Sequence, residues 1–155
     1  MTTKYYLDTS IFGGYFDVEF EEATKKFFKQ IKHKNIKILY SELTKNELIN
    51  APDKVKNFVN TLADDLIENI EIVEEALDLA DMYINENVVG KTSREDCIHI
   101  ALATIFRADV LVSWNFKHIV NLSRIRGYNS VNLKTGYPTI EIRSPLELIE
   151  YEENN

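Results

Sequence analysis

The sequence predicts an α/β domain with a mainly parallel sheet covered by helices on both faces. Short apolar strands alternate with amphipathic helices, the pattern of a sheet built through crossover connections. One apolar strand ends in an acid, at Tyr5-Tyr6-Leu7-Asp8-Thr9-Ser10. A helix opens on another, at Glu95-Asp96-Cys97-Ile98-His99-Ile100-Ala101-Leu102-Ala103. The first acid belongs at the carboxyl edge of a sheet and the second at a helix mouth, places that meet in one crevice of an open α/β fold. Carboxylates brought together there repel unless a cation joins them, which points to a hard divalent metal.

The elements follow in order. Lys4 to Leu7 reads as a short buried strand. Phe20, Ala23, Phe27 and Ile31 recur at helical spacing. Ile36 to Tyr40 is rich in strand formers and reads as the second strand. Ser41 or Thr44 caps the next helix, and Ala51-Pro52 breaks it. Val55, Phe58, Val59, Leu62 and Leu66 mark the buried face of a following helix. Glu74 to Glu86 carries Ala76, Leu79, Ala80 and Tyr83 or Ile84 at helical spacing, and Gly90 ends the connection. Ser93 starts a helix with a buried stripe of Ile98, Ala101, Leu102 and Ile105. Two helical segments thus precede a third strand, Asp109 to Val112, which Ser113-Trp114-Asn115 follows. A short helical stretch holds Ile119 and Leu122, Ile140 to Arg143 is the last strand, and Pro145 opens a final short helix. Crossovers are expected to be right-handed.

The 155 residues suit one domain with a real core, assigned to residues 1–150, with 151–155 a frayed tail. An apolar fraction of 45% argues for a packed globule over a disordered chain. Cys97 is the single cysteine, which excludes an internal disulfide and argues against a cysteine-based zinc site. No basic segment followed by an apolar run opens the chain and no run suits a membrane span, so a cytoplasmic, non-membrane protein is expected. The net charge of −7 speaks against nucleic acid as a partner. Its distribution softens that: Lys25, Lys26, Lys29, Lys32, Lys34 and Lys37 crowd one early segment, as a solvated helix face or as a strip facing phosphates.

Each acid has a local alternative. Asp8 also suits a turn or N-cap, bonding nearby amides. Asp96 falls at the third helical position after Ser93, where a carboxylate serves a capping box and the helix dipole. Glu47 lies one turn after Leu43 and leans toward the buried side, while Glu42 faces solvent; Thr44 to Glu47 forms another capping-box pattern. His99, one turn after Asp96, can bind metal or shuttle protons, though a lone helical histidine is more often packed or hydrogen-bonded. Trp114 suits the core or a cover over the site mouth, and core is the preferred reading. There is no Gly-rich phosphate loop and no Gly-x-Ser-x-Gly elbow.

Together these pieces resemble the PIN-domain ribonucleases, including the VapC-type toxins of toxin–antitoxin systems. The segments that carry the resemblance are Leu7-Asp8-Thr9-Ser10, Ser41 to Leu48, Asp96 to Ala103, and Ala108 to Phe116. The resemblance implies a three-layer α/β/α sandwich around a parallel sheet, Mg²⁺ or Mn²⁺ held by clustered acids, and hydrolysis of RNA phosphodiesters. It implies Asp8, Glu47 and Asp96 as the metal-binding and catalytic acids, with Ser10, Ser113 and Asn115 in support. Asn115 stands where the family pattern has a fourth acid; it adds no negative charge, so a second ion should be held less well. Asp109 begins the strand and belongs at the opposite edge. A cognate antitoxin and a homodimer are the implied protein partners, the aromatic helix around Phe20, Phe27 and Phe28 also suggesting a dimer.

Two other readings stand beside this one. A catalytically weak or inactive PIN-like module binding RNA or a protein accounts for Asn115 and the negative charge. A haloacid-dehalogenase-type phosphatase also places an Asp after a strand, but it needs a second Asp two residues on, where Ser10 stands.

Overall fold

The computed structural model describes residues 2–87 and 93–150. Its five strands are β1 (Lys4–Leu7), β2 (Lys37–Ser41), β3 (Ile67–Ile70), β4 (Val110–Val112) and β5 (Ile142–Arg143). They form one sheet in the order β3-β2-β1-β4-β5, with every neighbouring pair parallel. The helices are α1 (Thr9–Gly14), α2 (Glu21–Lys34), α3 (Glu42–Glu47), α4 (Asp53–Asn60), α5 (Glu74–Asn85), α6 (Arg94–Ile105), α7 (Leu122–Lys134) and α8 (Pro145–Leu148).

Strand alternation divides the core in two. Tyr6, Leu39 and Leu111 face a layer built from α5, α6 and α7. Tyr5, Leu7, Ile38 and Val112 face the opposite layer, with Phe27, Phe28 and Ile31 of α2 and Val55 and Phe58 of α4. The result is the α/β/α sandwich with a parallel sheet that the sequence implies. Phe27 and Phe28, which suggested a dimer face, are core residues with 0% and 2% exposure.

Several expectations need correction. The face assigned to one helix through Leu62 and Leu66 is divided: α4 stops at Asn60, a 3₁₀ turn spans Asp64–Leu66, and β3 follows. The strand at Val110 is therefore the fourth, and a strand stands between the two helices expected before it. Ser41 caps α3, accepting from Thr44 N at 3.1 Å, so Thr44 lies inside the helix and its box with Glu47 is not the cap. The stretch foreseen around Ile119 and Leu122 is the longer α7, which begins at Leu122 and leaves Ile119 before it. Helix α1, unforeseen, is one short element capped by Asp8. Helix α6 has no single stripe: Cys97 to Thr104 are all buried, as befits a helix enclosed between the sheet and its neighbours. The expectations for Gly90 and for residues 151–155 lie outside the described residues.

Backbone stops are local. Asn35 ends α2 in the left-handed region at φ 55°, where asparagine is tolerated. Asp109 sits before β4 at the amino edge of the sheet, its carboxylate accepting from Lys4 N at 2.7 Å. It is thus at the opposite edge from Asp8. No helix among the described residues is long and apolar enough to cross a membrane.

Candidate active site

The order of the strands creates the site. From β1 the chain moves outward to β2 and β3, then returns to place β4 on the other side of β1. The carboxyl ends of β1 and β4 are therefore a topological switch point, the usual ligand crevice of an open parallel sheet. Leu7 pairs with Val112, so the next residues, Asp8 and Ser113, emerge side by side.

Asp8 is 4% exposed, a costly place for a carboxylate without partners. Its Oδ1 accepts from Ser10 N at 3.1 Å and from Ser10 Oγ at 2.6 Å. Its Oδ2 accepts from Ser113 Oγ at 2.5 Å. Burial pushes the Asp8 carboxyl above its ordinary value, His99 and the two serines pull it down, and Asp96 pushes it up. Asp8 thus serves as N-cap of α1 and as a candidate site residue at once.

The loop after β4 is tied to the same carboxylate. Trp114 N donates to Ser10 Oγ at 2.9 Å, and Asn115 N donates to Ser113 Oγ at 2.9 Å. The Asn115 side-chain oxygen accepts from His118 N at 3.0 Å, closing the turn. Trp114 is core: its indole stacks on Phe20 with centroids 4.3 Å apart and donates to Thr24 Oγ1 at 3.0 Å.

Asp96 lies in the first turn of α6, where its N donates to the capping Ser93 Oγ at 3.3 Å. Its carboxyl is raised by partial burial, lowered by Ser93, His99 and His118, and raised by Glu47. The three acids therefore feel one another's charge: Asp96 acts on Asp8, and Glu47 on Asp96. Among the described residues, no three His, Cys, Asp or Glu side chains stand together as a ready-made metal cage.

Glu47, the last residue of α3, is more exposed than its spacing suggested, at 35% of its side chain. Its Oε1 lies 2.6 Å from His99 Nε2. The other ring nitrogen, Nδ1, lies 2.6 Å from the Tyr6 hydroxyl, which donates to Ser41 Oγ at 2.8 Å. Ser41 Oγ in turn donates to Thr44 Oγ1 at 3.1 Å. Glu42 faces solvent as expected, and accepts from Ile72 N at 3.1 Å. The sequence reading missed Tyr6 and Ser41. The available signal was the strand period: Tyr6 precedes Asp8 by two residues and points to the layer that holds α6.

The donors offered here are carboxylate and hydroxyl oxygens, which fit a hard cation such as Mg²⁺ that keeps several waters and needs only one or two carboxylates. Cys97 adds nothing soft to that set: it is fully buried and its thiol is pushed up to about 12 by desolvation. A groove of about 510 Å³ lies one strand over, across the ends of β2 and β3, where Tyr40, Lys45, Asn69 and Glu71 line it beside Ser41. On α2, Lys25 and Lys26 pair with Glu21 and Glu22 one turn earlier, and Lys34 pairs with Glu150. These lysines belong to a solvated face carrying both signs of charge.

No protein-family profile matches the sequence, and no curated protein matches it. Solved structures do match in fold. VapBC from Salmonella typhimurium bound to DNA is 17% identical, with a TM-score of 0.59 over 93% of this chain and 99% of the other. VapBC2 from Rickettsia felis, bound to a DNA fragment from its promoter, is 15% identical, with a TM-score of 0.60 over 92% and 98%. VapC20 from Mycobacterium tuberculosis, described as a toxin cleaving the sarcin–ricin loop, is 10% identical, with a TM-score of 0.57 over 72% and 90%. These likenesses show the fold, a PIN-like α/β sandwich of the kind seen in VapC toxins.

Proposed function

We propose that this chain is a metal-dependent endoribonuclease of the PIN type and the toxin of a type II toxin–antitoxin pair. The observation that carries the reading is Asp8: a buried carboxylate at the switch point, fixed by Ser10 and Ser113 and coupled by charge to Asp96. The fold shared with a toxin that cleaves the sarcin–ricin loop supports RNA as the substrate class. The fold shared with two VapBC proteins supports an antitoxin as partner. A homodimer in the cytoplasm belongs to the same proposal.

Asp8 and Asp96 are the residues that would hold Mg²⁺ or Mn²⁺, with Glu47 beside them. When bound, such an ion offsets charge on the phosphate and lowers the pKa of an adjacent water. The chain's own residues do the positioning. Ser10 and Ser113 fix both oxygens of Asp8, so the carboxylate does not have to be ordered at the moment of reaction. Glu47 Oε2 is the oxygen left to orient the attacking water, because Oε1 faces His99. His118 adds positive charge near Asp96 when protonated. Arg126, exposed on α7, offers charge for the RNA backbone.

The test is single-turnover cleavage of RNA with Mg²⁺ or Mn²⁺ by the wild type, Asp8→Asn and Asp96→Asn. Loss of charge stabilisation worth several kcal/mol predicts a drop of about a thousandfold in each variant. Equal rates in all three overturn the assignment. A second reading, a catalytically weak module binding RNA or protein, draws on Asn115, whose oxygen closes a turn on His118 N. Mn²⁺ titration separates the two, since the enzyme requires an ion near Asp8 and Asp96 and the module does not.

A further inference from the structure

We infer that Tyr6 and His99 form a positioning strap for Glu47, and that it decides which Glu47 oxygen faces the acid crevice. The inference rests on the nuclease reading above, and the strap itself rests on geometry. His99 is 3% exposed, on a helix buried nearly all round. Both ring nitrogens are engaged at 2.6 Å, by Tyr6 on one side and Glu47 on the other. Neither contact is local: Tyr6 is 93 residues away and Glu47 52.

The chemistry fixes one direction of the chain. An ionised carboxylate only accepts, so His99 Nε2 carries a proton and donates to Glu47 Oε1. The ring cannot turn without breaking its bond to Tyr6. Tyr6 is itself fully buried, and its hydroxyl is held by Ser41, whose oxygen is held by Thr44 N. A half-exposed glutamate at the end of a six-residue helix has several rotatable bonds. The strap removes that freedom at one oxygen and leaves Oε2 outside this bond, for a cation or its water. Tyr6 and His99 are therefore positioning residues, acting through Glu47. Outer partners of metal-ligating side chains typically matter by 10- to 100-fold in affinity or activity.

The experiment measures Mn²⁺ affinity by calorimetry and the thermal midpoint of full-length wild type, Tyr6→Phe, Glu47→Gln and the double variant. Tyr6→Phe removes one oxygen and keeps the ring in the core. It is expected to weaken Mn²⁺ binding about tenfold alone, and to have no further effect when Glu47 is already Gln, because coupled residues are not additive. His99→Gln, which can still donate an N–H to Glu47, is expected to retain more affinity than His99→Leu. That pair also decides the matter if Tyr6→Phe fails to fold. Nitrogen NMR of His99 without metal reads the strap directly: its Nδ1 resonance is expected to move in Tyr6→Phe. A wild type that binds Mn²⁺, with Tyr6→Phe unchanged or equally weakened in both backgrounds, overturns the strap and leaves the nuclease reading standing. A wild type that binds no Mn²⁺ while His99 responds to Tyr6→Phe overturns the metal reading, and with it the role given to Glu47.

Discussion

The Ser113 hydroxyl donates to Asp8 Oδ2 at 2.5 Å, across 105 residues of sequence. The bond follows from topology. Because β4 is laid against β1 with Leu7 opposite Val112, the first residue past each strand meets the other at the carboxyl edge. Ser113 does more than fill space there. It supplies the only donor to Oδ2 among the hydrogen bonds of the described residues, and accepts from Asn115 N to hold its own loop.

Ser113→Ala is therefore expected to act on both stability and chemistry. A hydrogen bond to a charged group contributes about 1.5–3 kcal/mol, and Asn115 N loses its acceptor as well. The urea midpoint should fall by that energy divided by the slope, with the slope unchanged. RNA cleavage should fall too, because Asp8 keeps its Ser10 contacts but loses its second tether. An unchanged urea midpoint would show that water replaces the hydroxyl.

The two glycines of α1 should respond in opposite ways. A Cβ on Gly14 would stand 2.7 Å from Trp114 Nε1 and 3.0 Å from Thr24 Oγ1. Trp114 cannot retreat, since Phe20 stacks on it and Thr24 accepts from its indole. Gly14→Ala should cost about 1–3 kcal/mol, as overpacking does. It should also change the emission of the chain's single tryptophan. Around Gly13 nothing lies within 4 Å of such a Cβ, so Gly13→Ala should be neutral or stabilise by up to about 1 kcal/mol. Urea unfolding of the two variants side by side checks the contrast.

The positions of Asp8 and Asp96 could be read from sequence because each ends or opens an element whose apolar pattern is strong. Strand β3 was not legible: Ile-Glu-Asn-Ile lies at the sheet edge with only Ile70 buried, too short and too polar to announce itself. Helix α7 hid for a similar reason. Leu122 and Leu133 are 65% and 64% exposed, while the polar Asn132 is fully buried, so its apolar period misleads. The Glu47–His99–Tyr6 chain lay beyond reach because three distant segments contribute one side chain each. Sequence spacing tells which face a residue is on, not which partner meets it there.

Asn132 carries a prediction of its own. Its Oδ1 accepts from the Tyr83 hydroxyl at 2.5 Å and its Nδ2 donates to Thr104 Oγ1 at 3.2 Å, joining α7 to α5 and α6. Asn132→Ala leaves the buried Tyr83 hydroxyl without this acceptor, at a cost of about 1–3 kcal/mol. Adding Tyr83→Phe removes the orphaned group and should recover part of the loss. A thermal double-mutant cycle measures the recovery, and strictly additive losses would show that the pair is not coupled.

The raised carboxyl of Asp8 sets the sign of a pH dependence. Its folded value lies above the ordinary 3.8 because burial opposes ionisation. Below 3.8 the group is protonated in both states, and its contribution to stability is fully present. As the pH rises, the unfolded chain releases this proton first. The folded state then binds more protons than the unfolded one, and stability falls until the folded carboxyl has also ionised. Asp8→Asn has no such proton. The difference in thermal midpoint, Asp8→Asn minus wild type, should therefore grow as pH rises from about 4 toward neutrality in metal-free buffer. Asp96→Asn should show the same sign more weakly, since that carboxyl is partly exposed and screened by solvent. Mn²⁺ at neutral pH should narrow the gap by stabilising the wild type through binding, and should leave Asp8→Asn where it was. Thermal scans across this range, with and without Mn²⁺, separate the cost of burying the acid from its use as a ligand. A gap that stays flat with pH would mean that Asp8 ionises as easily in the folded chain as in the unfolded one.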